Sequence, residues 1–249
     1  MRAITYYLRK CVGFDFLTFL VMARTLGYDE VILDDSRGFT NKFAPDESRR
    51  RVDHILIPAG EFAGMKVAYG QSNGDNTVGV GLRAFLEFAR PREWAFTRLM
   101  SVRPAAYHRY TVTLRHNARK PIYNSNELAW RRFADLIGAH VIEDAADKYI
   151  DIRDQMALYA GAEMNFMLQM GPSNLCWLSD APCMMFMPVA RMARTDIWSE
   201  IGFFPGDQYG CFLKTQRIIW AADTYENLVS VAAWLGIEAA MAEKRALAA

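Results

Sequence analysis

The sequence predicts an α/β protein made of two units, each a parallel sheet flanked by helices. Three observations carry this. Apolar runs of strand length alternate with helix-period segments over residues 4–34, and do so again over residues 110–187. The segments joining successive strands are long enough to hold a helix, as a parallel pair requires. Between the two series lies a stretch, residues 82–108, that mixes Phe85, Phe88, Trp94, Phe96 and Tyr107 with arginines and reads as a helix plus a connection. The predicted division is 1–105, 106–222, and a C-terminal helix over 223–249 that packs back toward the first unit.

The first unit opens with a strand at Ile4–Leu8. Asp15 then precedes a helix whose Leu17, Leu20, Val21 and Arg24 recur at helical spacing, and Gly27 stands where a helix C-terminal glycine belongs. Glu30–Asp34 is the next strand. Residues 46–51 read as a solvated helix, His54–Pro58 as a strand and 70–81 as a loop. In the second unit, Tyr110–Arg115 is a strand rich in β-branched residues. Asn124-Ser125-Asn126-Glu127 opens a helix through Ile137, because a short polar side chain accepts a bond from an unpaired N–H there. His140–Asp144 is a strand, Ile152–Met164 a helix, Phe166–Met170 a strand and Cys183–Met187 another. Strand and helix alternate throughout, which makes both units Rossmann-like, with sheets facing a common cleft.

Composition excludes several classes. Net charge is +1 over 249 residues, with fifteen basic against twelve acidic residues in 1–106. Nucleic-acid binding is therefore disfavoured, although the small positive excess of the first unit suits a surface resting at anionic lipid. Cys11, Cys176, Cys183 and Cys211 have no zinc spacing and read as buried apolar residues of a reducing compartment. The N-terminus has no signal-peptide pattern and there is no membrane-length apolar run, so a cytoplasmic location is expected. The methionines from Met164 to Met192 fall on or beside strands and read as core. Gly-x-Ser-x-Gly and a Walker lysine loop are missing, which disfavours a nucleophilic hydrolase and a P-loop enzyme. Asp151-Ile152-Arg153-Asp154 has the wrong spacing for an Asp-x-Asp metal motif, and no metal is predicted.

Candidate functional residues lie beyond strand ends, where open parallel sheets place their ligands. Gly171-Pro172-Ser173-Asn174 combines a glycine with the start of a helix, whose free N–H groups suit a phosphate; the same residues also suit a plain helix cap. Arg115 ends a strand and could grip two phosphate oxygens, with His116, Arg119 and Lys120 adding charge to the loop. Glu143, Asp144 and Asp147 suit either a ribose hydroxyl or a surface loop, and Asp34-Asp35 is similar in kind. Asp15 follows the first strand and precedes the first helix, where aspartate is a favoured cap.

The order strand, Thr113-Leu114-Arg115, capped helix, strand, helix, strand, Gly171-Pro172-Ser173-Asn174, helix, Ala181-Pro182, apolar strand resembles the C-terminal domain of GT-B glycosyltransferases, in particular heptosyltransferase-like and fucosyltransferase-like proteins of bacterial polysaccharide gene clusters. It covers residues 110–220 and, more loosely, 1–35. Gly13-Phe14-Asp15 is similar to the heptosyltransferase Gly-Asp motif with one residue inserted. The fucosyltransferase-like pattern His-x-Arg-x-x-Asp is broken, with Thr113 and Ala118 at its outer positions. The resemblance implies a metal-independent transferase with no cofactor, whose co-substrate is a nucleotide-diphosphate sugar. Arg115 and residues 171–174 would hold the diphosphate, a glycan or lipid-linked acceptor would bind the first unit, and Asp15 would be the base. The alternative is a catalytically silent protein of the same fold that binds a sugar or nucleotide within a polysaccharide assembly system.

Overall fold

The computed structural model describes residues 2–40, 42–100, 107–116, 121–145, 151–189 and 202–248, with the side chains of residues 144 and 145 left aside. Among the described residues there are two parallel sheets. The first holds β1 (Ala3–Tyr7), β2 (Glu30–Asp34) and β3 (Lys66–Tyr69) in that order. The second holds β4 (His108–His116), β5 (His140–Ala145), β6 (Ala162–Leu168), β7 (Cys183–Phe186) and β8 (Gln216–Ile219) in the order β5-β4-β6-β7-β8. Every pairing is parallel; Ile4 lies opposite Val31, and Val112 opposite both Val141 and Phe166. The parallel-sheet expectation is met.

Helix α1 (Phe16–Thr25) joins β1 to β2 and is buried at every residue from Phe16 to Ala23. Apolar and small residues on all sides, Thr18 apart, let it lie inside the core rather than on it. Gly27 then takes φ +81°, which favours glycine, and turns the chain into β2.

The segment predicted as a strand at His54–Pro58 is instead the middle of one helical stretch. Helix α2 (Pro45–Arg51) runs into a π-helical turn (Val52–Leu56) and on into α3 (Ile57–Ala63). Pro58 explains the wide turn: it has no N–H to give, and its ring crowds the carbonyl of His54 four residues earlier. The consecutive Ile55, Leu56 and Ile57 mimic a strand because this helix is buried over much of its surface. β3 follows where no strand is predicted. Gly60 permits the return, since a Cβ there would lie 2.6 Å from the Met65 carbonyl and 2.6 Å from Val67.

The second sheet is buried on both faces, as an all-parallel sheet must be. Val112 and Leu114 of β4, Phe166 and Leu168 of β6, and Met184 and Phe186 of β7 face α5 (Glu127–Ile137) in one apolar cluster. The opposite face carries Met167, Cys183, Met185 and Ile218. It also holds a buried polar network: the Thr111 hydroxyl donates to Asn165 Oδ1 at 2.5 Å, and Asn165 Nδ2 donates to the carbonyls of Tyr159 and Pro182. Helix α6 (Ile152–Ala160) ends four residues before the predicted Met164, because Gly161 hands the chain to β6. Helix α7 (Ser173–Trp177) follows β6, and β8 was not foreseen.

The C-terminal segment is two helices, α8 (Tyr225–Trp234) and α9 (Glu238–Leu247), broken at Gly236 with φ +79°. Their apolar faces join the cluster around α5, so they cover the second sheet instead of returning to the first unit. The first sheet and one face of the second share a continuous apolar cluster, including Phe16, Phe85, Tyr159, Leu175 and Trp177. The junction between the units is thus packed, not open, around α1 and α7. Residues 98–100 stitch it: Arg98 donates to the carbonyls of Trp177, Ser179 and Cys211, Leu99 N–H to Leu178 O at 2.8 Å, and Met100 N–H to Phe62 O at 2.7 Å.

Candidate active site

The loop after β1 meets the loop after β6: the Asn174 side-chain amide donates to the Phe14 carbonyl at 3.1 Å, and the Phe14 side chain packs against Gly171. Residues that follow β1 and residues that follow β6 therefore lie together on one rim.

Asp15 stands on that rim, immediately before α1, with helical backbone angles and no side-chain capping bond. The cap alternative is thereby set aside. Among the described residues its carboxylate accepts no hydrogen bond; the Thr18 hydroxyl donates instead to the Asp15 main-chain carbonyl at 2.6 Å. The same hydroxyl receives the N–H of Gly81, the first residue of helix α4 (Gly81–Ala89), at 2.9 Å. A Cβ on Gly81 would lie 4.0 Å from the Asp15 carboxyl carbon, so the amino end of α4 abuts the acid. Asp15 is exposed at its surface. Desolvation raises its carboxyl above the ordinary aspartate range, and the Lys42 ammonium pulls in the other direction. Burial, with Asp15 adding to it, pushes the neighbouring Cys11 thiol up to about 11. Cys11 is therefore a neutral thiol at physiological pH and not a nucleophile.

The 171–174 turn occupies the rim but does not present an open anion cradle. Pro172, Ser173 and Asn174 are buried. The Ser173 hydroxyl donates to Met170 O at 2.6 Å, and Asn174 accepts from the Trp177 indole at 3.0 Å while donating to Phe14. A Cβ at Gly171 would lie 2.9 Å from the Phe14 ring. Gly171 allows the close approach of Phe14, and the side chains of Ser173 and Asn174 are engaged within the protein.

Arg115 is the penultimate residue of β4, near its carboxyl end. Its N–H donates to Ser125 Oγ at 2.9 Å, its carbonyl accepts from Ser125 N–H at 3.1 Å, and its guanidinium lies 5.7 Å from the Tyr123 ring centre. His116 Nδ1 is 3.9 Å from Glu127. Glu143 is engaged by Arg131 at 2.7 Å across β5 and α5, so its carboxylate serves the fold before any ribose. Asp144 belongs to β5; its side chain, Arg119, Lys120 and Asp147 lie outside the described residues. Asp34 accepts the Ser36 N–H at 2.7 Å, and bonding to Ser36 holds its carboxyl below the usual range. Among the described residues no group of three or more His, Cys, Asp or Glu side chains converges to hold a metal ion.

Sequence reasoning missed Thr18, Lys42 and Gly81. The clue for Gly81 was the pair Gly79 and Gly81 opening a helix; Lys42 carried no local signal.

No protein-family model and no curated protein matches the chain. Among solved structures, Escherichia coli heptosyltransferase WaaC with ADP-2-deoxy-2-fluoro heptose is similar to it at 13% identity and a TM-score of 0.48, covering 96% of this chain and 99% of that chain. A likeness of that size leaves the functional reading to the residues themselves.

Proposed function

We propose that the protein is a glycosyltransferase that moves a sugar from a nucleotide-diphosphate donor to an acceptor hydroxyl, with Asp15 as general base and no metal requirement. One observation carries the reading. Asp15 is a carboxylate on the rim shared by both sheets, it makes no capping bond, and its proton affinity is raised by its surroundings. A base of that kind takes the acceptor proton as the acceptor oxygen bonds to the anomeric carbon and the bond to the diphosphate oxygen breaks. The leaving nucleoside diphosphate carries the negative charge, and Arg115 near the carboxyl end of β4 is the residue assigned to receive it. The engaged side chains of Ser173 and Asn174 favour Arg115, at the β4 end, over the 171–174 turn as the donor-phosphate contact.

The test pairs binding with turnover. At a hundredfold excess over its dissociation constant, a nucleoside diphosphate stabilises the protein by about 2.7 kcal/mol, without added metal. Arg115→Ala is expected to abolish that shift, and Asp15→Asn to keep it while losing transfer. If no nucleoside diphosphate moves the melting temperature, the donor assignment fails. If the donor binds and no acceptor is glycosylated, the protein is a silent binder.

A further inference from the structure

The border of the second sheet carries a cavity that the proposed reaction does not use. It lies between β8 and α8, has a volume of about 300 Å³, and is lined by Arg217, Ile218, Ile219, Ser230, Val231 and Trp234. β8 is the border strand, three strands from β4, so the cavity is remote from Arg115. Local geometry builds its walls. Side chains alternate along β8, and Ile219 packs with the cluster around α5 while Ile218 joins the opposite face. Arg217, two residues before Ile219, is therefore on the helix-covered face. Ser230, Val231 and Trp234 fall three and four residues apart on one side of α8.

The polar groups of this cavity are donors, and only the Ser230 hydroxyl also accepts. Among the described residues Arg217 has no ion-pair partner, and no hydrogen bond joins the side chains of Arg217, Ser230 or Trp234 to the protein. The guanidinium is placed by the indole: it lies 5.2 Å from the Trp234 ring centre, within reach of a cation–π contact. Trp234 is nevertheless 61% exposed, a large apolar surface left in water beside a cation. Carbonyls at the end of α8 do not occupy that cation, because the following chain takes them: Gly236 N–H donates to Ala233 O at 3.0 Å and Ile237 N–H to Ala232 O at 3.1 Å. Nor does the border of β8 invite another strand here. Gln208 accepts the Ile218 N–H at 2.7 Å and donates to the Ile218 carbonyl at 2.9 Å, which fills the positions an added strand would use.

We infer that this cavity binds a small organic carboxylate with an apolar, ring-sized body, its charge on Arg217 and Ser230 and its ring against Trp234, Ile219 and Val231. The volume sets the size, since it stands at the lower end of ligand pockets and suits one ring with its substituent. The donor set fixes the charge, because a carboxylate accepts from a guanidinium and a hydroxyl together. The same set disfavours a sugar. Several hydroxyl protons would need acceptors, no Asp, Glu, Asn or Gln lines the cavity, and an unpaired hydroxyl removed from water costs free energy. The inference is independent of the transferase reading.

The experiment titrates the full chain with benzoate, benzamide and glucuronate, following backbone amide and indole N–H shifts. Benzoate is expected to bind with a dissociation constant on the order of 1 mM, the strength open to so small a ligand. It should bind about tenfold more tightly than the other two, because benzamide lacks the charge-assisted bond and glucuronate the apolar body. The largest shifts should fall at Arg217, Ser230 and Trp234. Arg217→Gln should reduce benzoate to the affinity of benzamide and Trp234→Ala should abolish binding, while Arg115→Ala and Asp15→Asn change neither. Both altered positions are exposed, and an unchanged melting curve shows that the variants fold. If Trp234→Ala melts early, Arg217→Gln alone decides. Equal binding of benzoate and benzamide overturns the inference, as do glucuronate binding as tightly as benzoate, shifts centred on Arg115, or no saturable shift at tenfold the expected dissociation constant. Absence of any transferase activity leaves the result unmoved, since neither donor nor turnover enters it.

Discussion

Asp15 joins sequence and chemistry at the scale of one residue. A capping aspartate and a catalytic aspartate look the same in sequence, because both precede a helix. The structure shows no capping bond, since the side chain accepts none of the first N–H groups of α1; the catalytic role is the proposal that the variants test. Neither Asp15→Asn nor Asp15→Ala should therefore lower the melting temperature appreciably, whereas loss of a general base removes typically 10²–10⁴-fold in transfer rate. The pH dependence follows from the raised carboxyl. Transfer appears as Asp15 deprotonates, so the acid limb of kcat/KM should lie above the ordinary aspartate range and vanish in Asp15→Asn. Stability has the opposite sense. A folded-state value above the unfolded one means that the stabilisation present at low pH is lost as pH rises through the folded value. Asp15→Asn should thus be at least as stable as the parent at neutral pH, as denaturant titration at two pH values would show. Gly171 gives a second test at this scale. A methyl group there meets the Phe14 ring, and Gly171→Ala should cost roughly 1–3 kcal/mol, as overpacking does. Phe14→Leu in the same chain should recover part of it.

At the scale of elements, legibility followed burial pattern. β1, β2, β4, β5 and β7, and helices α1 and α5, were readable because apolar period and terminal residues agreed: Asn126 accepts the Ala129 N–H as foreseen, and Gly138 ends α5 in the left-handed region. The stretch 45–63 was misread because a helix buried on several sides loses its period, and because Pro58 looks like an ending when the π turn absorbs it. β3 and β8 were missed because four-residue strands give too few positions for an alternation to register. The candidate site divided in the same way. That Asp15 and Arg115 lie beyond or near strand ends was legible in sequence, but the contact of the 171–174 turn with Phe14, some 160 residues away, was not. Helix α3 supplies the prediction here. Gly60→Ala puts a methyl group against the Met65 main chain, which cannot give as a flexible side chain would. The expected cost is about 2–3 kcal/mol in denaturant unfolding, with the loss of protection in hydrogen exchange centred on β3.

At the scale of the molecule, the two sheets are coupled. A single apolar cluster reaches both, the Arg98 guanidinium serves three carbonyls of the second unit, and Arg153 of α6 holds Glu61 of α3 through two bonds, at 2.5 and 3.0 Å. Unfolding should therefore be one transition, coincident by tryptophan fluorescence and far-ultraviolet circular dichroism. Arg98→Ala strands carbonyls that charge-assisted bonds had satisfied and should cost about 2–4 kcal/mol. The transition should stay single, because Leu99 N–H still reaches Leu178 O and the apolar cluster still reaches both sheets. Glu61→Ala, by contrast, removes a half-exposed pair and should change stability by less than about 1 kcal/mol.

The short polar strip beside β1 has a consequence for behaviour in concentrated solution. The Thr5 N–H donates to Asp75 O at 2.7 Å, while Asn73 takes the Ala3 carbonyl and the Thr5 hydroxyl. That strip covers the outer border of β1, whose hydrogen-bonding groups would otherwise be a template for another chain. It does so with residues unable to continue a ladder, so the sheet stops growing at the molecular boundary. Colloidal behaviour is thereby linked to a segment remote from any chemistry: loosening it with Asn73→Ala/Asp75→Ala should leave the fold intact and make light scattering rise with protein concentration.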